Sequence, residues 1–306
     1  MREELNKIAE LYGDKLILIP VEHLQDCKEE INQFQQQEEL NGFQRWIVEE
    51  LYQFSVPKAD FEIRSILLVA LGHPVYADVV FHWQGREHVF KSLVMPDFEA
   101  ARVRYSAAVA EAGHHLMPAD NLPMKRLSAQ SGLGAYGRNN ITYVEGLGSY
   151  FSYAAYYTDI EPKEDSWGEV RKAAECKNCR NCLKNCPTGA IRQERFLIDN
   201  QRCLSAINEV PGEFPEWLPK SVHHTLYDCL RCQEGCPMNR PYRNNILKGI
   251  CFDEKETAQL LEGSPYEAFS PDLKEKSRLL GLEDWLAAIP RNLGVLLDQD
   301  RLQENH

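Results

Sequence analysis

The cysteines constrain this chain of 306 residues more than any other feature. Eight of the ten cysteines fall between Cys176 and Cys236, whereas Cys27 and Cys251 stand alone. The first four of the eight follow the spacing C-x2-C-x2-C-x3-C-P, and the last three follow C-x2-C-x3-C-P. Structural disulfides are rare in reducing compartments, so cysteines this close together favour metal binding. We therefore expect a metal-binding segment within a larger globular protein.

The spacing predicts two [4Fe-4S] clusters. In bacterial ferredoxins such a run gives three thiolates to one cluster and the fourth to the other. The second set differs because its first ligand is displaced far upstream. With the usual crossover, the two ligand sets are Cys176, Cys179, Cys182 and Cys236, and Cys203, Cys229, Cys232 and Cys186. Two four-thiolate zinc sites are the alternative, which three closely spaced cysteines before a Cys-Pro disfavour.

Charge divides the chain into three regions. Residues 1–170 carry 15 Lys and Arg against 26 Asp and Glu, residues 171–248 carry 13 against 8, and residues 249–306 carry 6 against 12. The basic region coincides with the cysteines, where cations favour reduction of an anionic cluster. We accordingly predict an α/β domain over residues 1–168, a ferredoxin-like domain over 169–248 and a short α-helical segment over 249–306.

Periodicity places the elements of the first and last regions. Helical spacing covers residues 1–13, 24–34 and 43–51, and a helix follows Asp97. Continuous or alternating apolar residues predict strands at 65–71, 78–83, 86–94, 141–144 and 149–158. Three short helices are expected after residue 252, and the last of them ends before Pro290. No apolar run approaches the roughly 20 residues that span a bilayer, and no secretory signal is evident, so we expect a cytoplasmic protein without membrane contact.

A glycine-rich loop at residues 131–140 is the second candidate site. It contains three glycines, a cation and two amides between a helical turn and a strand. Its G-x-G-x-x-G pattern is also a dinucleotide fingerprint, but the loop follows a helix rather than a strand, which argues against NAD. These glycines either let the backbone approach a ligand closely or form a tight structural loop.

Several motifs resemble the epoxyqueuosine reductases, cobalamin-dependent iron-sulfur enzymes related to reductive dehalogenases. The resemblance runs from about Asp120 to Asn239. The matching residues are Gly132-Leu133-Gly134-x-x-Gly137, Gly148-Ser149-Tyr150-Phe151, Thr158-Asp159, Cys186-Pro187-Thr188-Gly189-Ala190-Ile191, Arg202-Cys203-Leu204-Ser205 and Asp228-Cys229-x-x-Cys232-x-x-x-Cys236-Pro237.

The resemblance implies a fold and a cofactor. A nitroreductase-like domain would hold cobalamin, and cluster electrons would reduce its cobalt to a nucleophilic low-valent state. The implied cofactor-binding residues are Gly132, Gly134, Gly137, Arg138, Asn139, Asn140, Ser149, Tyr150 and Ser205, and the implied catalytic residues are Asp120 and Tyr136. Asp120 lies about two residues closer to the loop than the family's proton donor, and a helix cap is its alternative role.

The length of the C-terminal segment and the net charge bear on the substrate. The family carries a long C-terminal helical-repeat extension that helps to hold tRNA, whereas this chain has 55 residues after Cys251 and a net charge of −12. We therefore expect a reductase that acts on a small or unidentified molecule, supplied with electrons by a flavodoxin, a ferredoxin or a similar donor. The alternatives are a truncated epoxyqueuosine reductase that acts on tRNA, and an electron-transfer protein that docks a corrinoid protein or flavoprotein.

Overall fold

The protein is a mixed α+β structure in a computed structural model that describes residues 2–37, 40–194 and 197–304. The helices of the described residues are α1 (Arg2–Tyr12), α2 (His23–Gln37), α3 (Gly42–Trp46), α4 (Phe98–Glu111), α5 (Met124–Ser131), α6 (Asn181–Asn185), α7 (Leu204–Glu209), α8 (Arg231–Glu234), α9 (Glu254–Glu262), α10 (Pro271–Leu279) and α11 (Ile289–Glu304). The strands are β1 (Lys15–Pro20), β2 (Ser65–Gly72), β3 (Tyr76–Trp83), β4 (Arg86–Ser92), β5 (Leu116–Pro118), β6 (Gly134–Tyr136), β7 (Thr142–Val144), β8 (Phe151–Thr158) and β9 (Ile246–Phe252).

The chain forms two compact units. The first unit comprises Met1–Gly72, Pro96–Cys179 and Gln193–Leu197, and the second comprises His73–Met95, Arg180–Arg192 and Ile198–His306. The hairpin of β3 and β4, which sequence analysis placed in the first region, thus belongs to the second unit. Compact units need not coincide with functional domains, so the boundaries at 168/169 and 248/249 stay predictions.

The first unit is built on an antiparallel sheet with the strand order β1-β2-β8-β5. The apolar run of β2 is central and pairs with β8 from Ser65 opposite Thr158 to Gly72 opposite Phe151. Successive β2 side chains point to opposite faces: Leu68 packs with residues of α2 and α5, and Leu67 packs with residues of α1 and α4. A strand covered by helices on both faces must be apolar throughout, which explains the continuous run.

The second unit packs helices against a different sheet, with the strand order β4-β3-β9. Strand β9 runs parallel to β3, with Val80 opposite Cys251. Side chains of β3, β9, α9, α10 and α11 share one buried core with Leu226 and Tyr227. The Tyr227 hydroxyl donates to the Leu280 carbonyl oxygen at 2.5 Å. The C-terminal helices therefore complete the core of this unit.

Most predicted elements are confirmed. Four strands were not predicted: β1, which is a short apolar run between two helices, the three-residue strands β5 and β6, and β9. The prediction of a last helix ending before Pro290 was wrong: a 3-10 turn spans Leu282–Trp285, and α11 begins at Ile289 and continues to Glu304. Proline suits the first turn of a helix, where its missing N–H would have no partner.

Candidate iron-sulfur and cofactor site

The glycine-rich loop lies in the first unit between α5 and β7. Helix α5 ends at Gly132, whose φ of +86° is left-handed, and a β-carbon there would lie 2.6 Å from the Arg171 guanidinium. At Gly134 a β-carbon would lie 2.8 Å from Ser128 Oγ, and at Gly137 it would lie 2.5 Å from the Tyr143 ring. Contacts within the protein therefore account for all three glycines, in agreement with the reading as a tight structural loop.

The same loop pairs with the segment that leads to the first cluster cysteine. The Tyr136 backbone N–H donates to the Arg171 carbonyl oxygen at 2.8 Å, and the Ala173 N–H donates to the Tyr136 carbonyl oxygen at 2.8 Å. These two bonds form a parallel bridge between Tyr136 and Lys172. The loop therefore fixes the course of the chain three residues before Cys176.

Arg138 contacts Cys176 through both main chain and side chain. Its backbone N–H donates to Cys176 Sγ at 3.5 Å, and its Nη2 donates to the Cys176 carbonyl oxygen at 2.9 Å. Nη1 donates to the Gln193 carbonyl oxygen at 2.6 Å. Both Arg138 and Cys176 are buried, with 7% and 8% exposure.

The two asparagines of the loop stabilise the conformation of the loop itself. The Asn139 side chain is buried, and its Nδ2 donates to the Tyr143 hydroxyl at 3.0 Å. Asn140 adopts a left-handed φ of +60°, a conformation that asparagine tolerates better than most residues. Lys125 Nζ donates to the Asn140 carbonyl oxygen at 3.4 Å.

Tyr136 projects its phenol into a polar cluster formed by α2, α5 and β8. Burial raises the pKa of Tyr136, the nearby Tyr52 raises it further, and the Arg126 guanidinium lowers it in part. The hydroxyl of Tyr153, another neighbour of Tyr136, donates to Ser128 Oγ at 2.7 Å. Cys27 also lies close and is fully buried, and burial raises its pKa to about 12. The lone Cys27 is thus a neutral packing thiol, as expected for a cysteine on the apolar side of a helix.

Glu30 of α2 organises the cations and amides of this cluster. Its carboxylate accepts from Arg126 Nη2 at 2.7 Å and from Gln130 Nε2 at 2.8 Å. Within the part of the chain that the structure describes, Arg126 Nε and Gln130 Oε1 are buried and have no hydrogen-bond partner. Buried polar atoms without partners are uncommon and call for an explanation, such as a bound ligand.

The remaining predicted residues of the first unit lie at different depths. Asp120 is exposed on the loop between β5 and α5. It does not cap α5, because Pro123 occupies the N-cap position and no side chain bonds there. Ser149 and Tyr150 are both buried just before β8.

The second unit contains six of the eight cysteines, and four of them lie in two similar turns. Cys182 lies in α6 and Cys232 in α8, and each helix is followed by an extended cysteine and a proline. The two helices contact each other, and Asn181 Nδ2 donates to the Gly235 carbonyl oxygen at 3.3 Å. The Ala190 N–H donates to Cys186 Sγ at 3.3 Å, a bond that favours a thiolate.

Cys203 and Cys229 lie near Cys186 despite their separation in sequence. Burial raises the pKa of Cys229 to about 12, and Asp228, Cys203 and Cys186 raise it further. Burial also raises the pKa of Cys203, while the backbone N–H groups of Ala206 and Ser205 lower it. The proximity of these three sulfurs agrees with the predicted crossover, in which Cys186 joins Cys203, Cys229 and Cys232.

Ser205 bonds two acidic side chains beside this cysteine group, and its role toward a cofactor stays a prediction. Its hydroxyl lies 2.8 Å from Asp228 Oδ1 and 2.8 Å from Glu209 Oε1. The same Asp228 oxygen accepts from the Cys229 N–H at 2.7 Å. Burial raises the pKa of Asp228, and the bond from Ser205 lowers it in part. Ser205 therefore holds the carboxyl group that fixes the Cys229 backbone.

Two features are absent from the part of the chain that the structure describes. Over residues 2–37, 40–194 and 197–304, no group of three or more His, Cys, Asp or Glu side chains is arranged to hold a metal ion. The assignment of the cysteines to clusters therefore rests on their spacing and on the family match below. In the same ranges, no helix has the length and apolarity needed to cross a membrane.

Several residues of the polar cluster were not predicted from the sequence. Tyr52, Arg126 and Gln130 follow no motif and are separated by up to 78 positions in the sequence. The helical pattern of α5 gave a partial signal, because Arg126 and Gln130 are four residues apart and share one helix face. Asp228 was noted only as part of a matching motif.

Comparison with known proteins supports the double-cluster assignment. Residues 175–239 match the family described as a 4Fe-4S double cluster binding domain. This range contains all eight cysteines of the two predicted ligand sets.

A large part of the chain is similar in sequence to epoxyqueuosine reductases. It is 26% identical over 255 residues to the enzyme of Burkholderia pseudomallei, covering 78% of this chain and 60% of that relative. It is 31% identical over 209 residues to the enzyme of Francisella cf. novicida, covering 60% of this chain and 52% of the relative. The chain thus spans little more than half the length of these curated relatives.

Solved structures of the same enzymes share the fold. The epoxyqueuosine reductase of Bacillus subtilis, solved with its catalytic aspartate loop swung out of the active site, aligns with a TM-score of 0.63 at 19% identity, covering 97% of this chain and 80% of that one. The enzyme of Streptococcus thermophilus aligns with a TM-score of 0.60 at 18% identity over the same shares. A third structure, bound to an epoxyqueuosine-modified tRNA-Tyr stem loop, aligns with a TM-score of 0.61 at 19% identity, again over 97% and 80%.

Proposed function

We propose that this protein is an iron-sulfur, cobalamin-dependent reductase of the epoxyqueuosine reductase type. The observation that carries the proposal is the contact between the glycine-rich loop and the first cluster cysteine. Arg138 of the loop bonds Cys176, and two residues before it Tyr136 directs its phenol into a polar cluster. An electron source and a proton-bearing site thus meet in one short stretch of chain.

The cysteines fit two [4Fe-4S] clusters chemically. Eight thiols supply two sets of four ligands, and backbone N–H groups point at Cys176, Cys186 and Cys203. Such bonds stabilise negative charge on sulfur and therefore favour both cluster binding and reduction. These cysteines would hold the clusters, which would supply one-electron transfer from a flavodoxin, a ferredoxin or a similar donor.

The polar cluster around Tyr136 is the place we propose for the corrin. Buried Arg126 Nε and Gln130 Oε1 lack partners among the described residues, and the amide side chains of cobalamin are suited to pair with such atoms. When bound, cobalamin supplies low-valent cobalt as the reductant. Tyr52 and Tyr153 would pack against the ligand, and their bulk would keep water from it.

Two groups of the chain are suited to hold one of the protons that a reduction consumes. Asp120 is exposed on a loop, in agreement with a residue that approaches the substrate when that loop moves. The catalytic aspartate loop of the Bacillus subtilis relative has been solved swung out of its active site. Tyr136 keeps its proton firmly, since burial raises its pKa. We propose that Asp120 donates the proton and that Tyr136 orients the substrate.

For the substrate we propose epoxyqueuosine, carried in a tRNA. A relative of the same fold binds an epoxyqueuosine-modified tRNA stem loop, which favours this substrate over the small molecule expected from the sequence. Reduction of an epoxide to an alkene consumes two electrons and two protons and releases water. A small-molecule substrate remains the second candidate because the net charge of −12 opposes the capture of a polyanion.

One assay distinguishes these candidates. The reconstituted protein is given reductant and either an epoxyqueuosine-bearing tRNA or the free epoxyqueuosine nucleoside, and the product is identified by mass spectrometry at several salt concentrations. Turnover of the tRNA that falls steeply with salt supports the tRNA substrate, since phosphate contacts release counterions. Turnover of the nucleoside alone supports the small molecule. Absence of both, with electrons passed only to an added corrinoid protein or flavoprotein, would favour an electron-transfer protein.

A further inference from the structure

Arg138 of the glycine-rich loop makes three hydrogen bonds, two to the cluster ligand Cys176 and one to Gln193. Its own N–H reaches Cys176 Sγ, and its two terminal nitrogens bond the carbonyl oxygens of Cys176 and Gln193. The guanidinium spans two main-chain segments that are 17 positions apart in the sequence. An arginine used in this way fixes the direction of both carbonyls, because its donors form a rigid planar fork.

The amide-to-sulfur bond depends on this clamp. A backbone N–H at 3.5 Å from sulfur makes an ordinary N–H···S hydrogen bond, and a shift of either backbone would weaken it. Hydrogen bonds to cluster sulfurs and nearby positive charge both stabilise the more negative, reduced state. Burial strengthens these effects because little water screens them, and Arg138 is only 7% exposed.

We propose that Arg138 is a positioning residue that raises the reduction potential of the cluster bound by Cys176, rather than a residue that contacts the corrin. The proposal rests on the iron-sulfur part of the proposed function and does not depend on the cobalamin or the substrate. It gives Arg138 a role different from the one that the family resemblance implies. By this account the loop that carries Tyr136 also sets the driving force with which electrons arrive.

The test compares the two clusters within one protein. Wild type, R138K and R138M are purified without oxygen, their iron is quantified, and both midpoint potentials are measured by redox titration followed by electron paramagnetic resonance. In R138M we expect the midpoint potential of one cluster to fall by at least about 59 mV relative to wild type. For a one-electron couple this shift favours the oxidised state tenfold. The other cluster should keep its potential. R138K should shift the same cluster in the same direction, because lysine keeps the charge but cannot bond both carbonyls.

A matched control uses the neighbouring cation Arg171, which lies against Gly132. R171M removes an equal charge from the segment that precedes Cys176, and we expect unchanged potentials. Loss of about four of eight irons from R138M, with an unchanged circular dichroism spectrum, would also support the proposal, since a ligand without its support releases one cluster.

Two results would overturn the proposal. The first is a set of unchanged potentials in an R138M protein that holds all its iron. The second is an R138K protein that matches wild type, which would mean that charge alone acts. If R138M does not fold, the R138K midpoint potentials alone test the proposal, and potentials equal to those of wild type overturn it. Wild-type protein without iron would instead refute the iron-sulfur part of the proposed function.

Discussion

At the scale of single residues, replacing Cys182 tests how many clusters the chain binds. It belongs to one predicted ligand set, so Cys182→Ser should lower the iron content from about eight to about four per chain. The control is Cys251→Ala, which removes a partly exposed cysteine of β9 that lies outside both sets. Iron and acid-labile sulfide are measured on anaerobically purified protein. A C182S variant that keeps all its iron would contradict the ligand assignment.

Replacing Asp120 tests whether this residue is the proton donor. Asp120→Asn keeps the size of the exposed side chain but removes its acid, so turnover should fall by roughly 10²–10⁴. Iron and cobalt content should not change, because Asp120 lies on a loop away from the cysteines in sequence. Asp60→Asn, at another exposed position, serves as the control. Turnover within twofold of wild type would exclude Asp120 as the acid.

The residues differ in how far the sequence could identify them. The cysteines were predictable because cluster geometry dictates their spacing. Arg138 was singled out by its motif, but its contacts with Cys176 and Gln193 depend on how distant segments pack. Tyr52 and Arg126 meet near Tyr136 only because the segment that follows α3 packs on the same face of the sheet as α5. No local pattern encodes such a meeting.

At the scale of elements, Gly134 tests why the loop is rich in glycine. Gly134→Ala would place a β-carbon 2.8 Å from Ser128 Oγ and 3.0 Å from the Tyr143 carbonyl oxygen. We expect a loss of roughly 1–3 kcal/mol of stability, because the hairpin of β6 and β7 must shift away from α5. Thermal unfolding is compared without added cobalamin.

The matched control for this variant is Gly42→Ala at the start of α3, where a β-carbon would meet nothing within 4 Å. G42A should unfold close to the wild-type temperature. If G134A is as stable as wild type and only its cobalamin uptake fails, the close approach at Gly134 is to a ligand and the packing explanation is wrong.

Replacing Arg291 of α11 tests whether this helix holds the long insertion between Cys203 and Cys229 in place. Its guanidinium donates to the carbonyl oxygens of Gly212 at 2.7 Å and Ile207 at 2.9 Å, and it lies 3.9 Å from the Phe214 ring centre. Arg291→Met should cost roughly 1–3 kcal/mol, because carbonyl groups lose their partners.

The R291M variant should also be cleaved faster by protease between residues 210 and 224 than wild type. Lys255→Met, at an exposed position of α9, controls for the loss of a cation in the C-terminal segment. Equal cleavage of R291M and wild type would mean that α11 does not hold the insertion.

The elements themselves were largely predictable where one physical signal dominates. The buried run of β2, the β3–β4 hairpin and the Asp97 cap of α4 each have a local cause in the sequence. Strand β9 has none, since it becomes a strand by pairing with β3, about 170 residues away. Helix α11 was missed because Pro290 was taken as the end of a helix rather than its first turn.

At the scale of the whole molecule, the charge distribution and the comparisons point to different substrates. The net charge of −12 favours a small substrate, whereas a relative of the same fold binds a tRNA stem loop. Net charge is an average, and residues 171–248 carry 13 cations against 8 anions. Local potential decides where a polyanion binds, so composition alone could not identify the substrate.

The central claim is that one chain holds two [4Fe-4S] clusters and cobalamin. Protein expressed with cobalamin and purified without oxygen should contain about eight irons and about one cobalt per chain, with no zinc. The visible spectrum of the same sample should change at corrin wavelengths when a reductant that reduces the clusters is added. A fully active sample with zinc in place of iron, or with eight irons and no cobalt, would contradict this account.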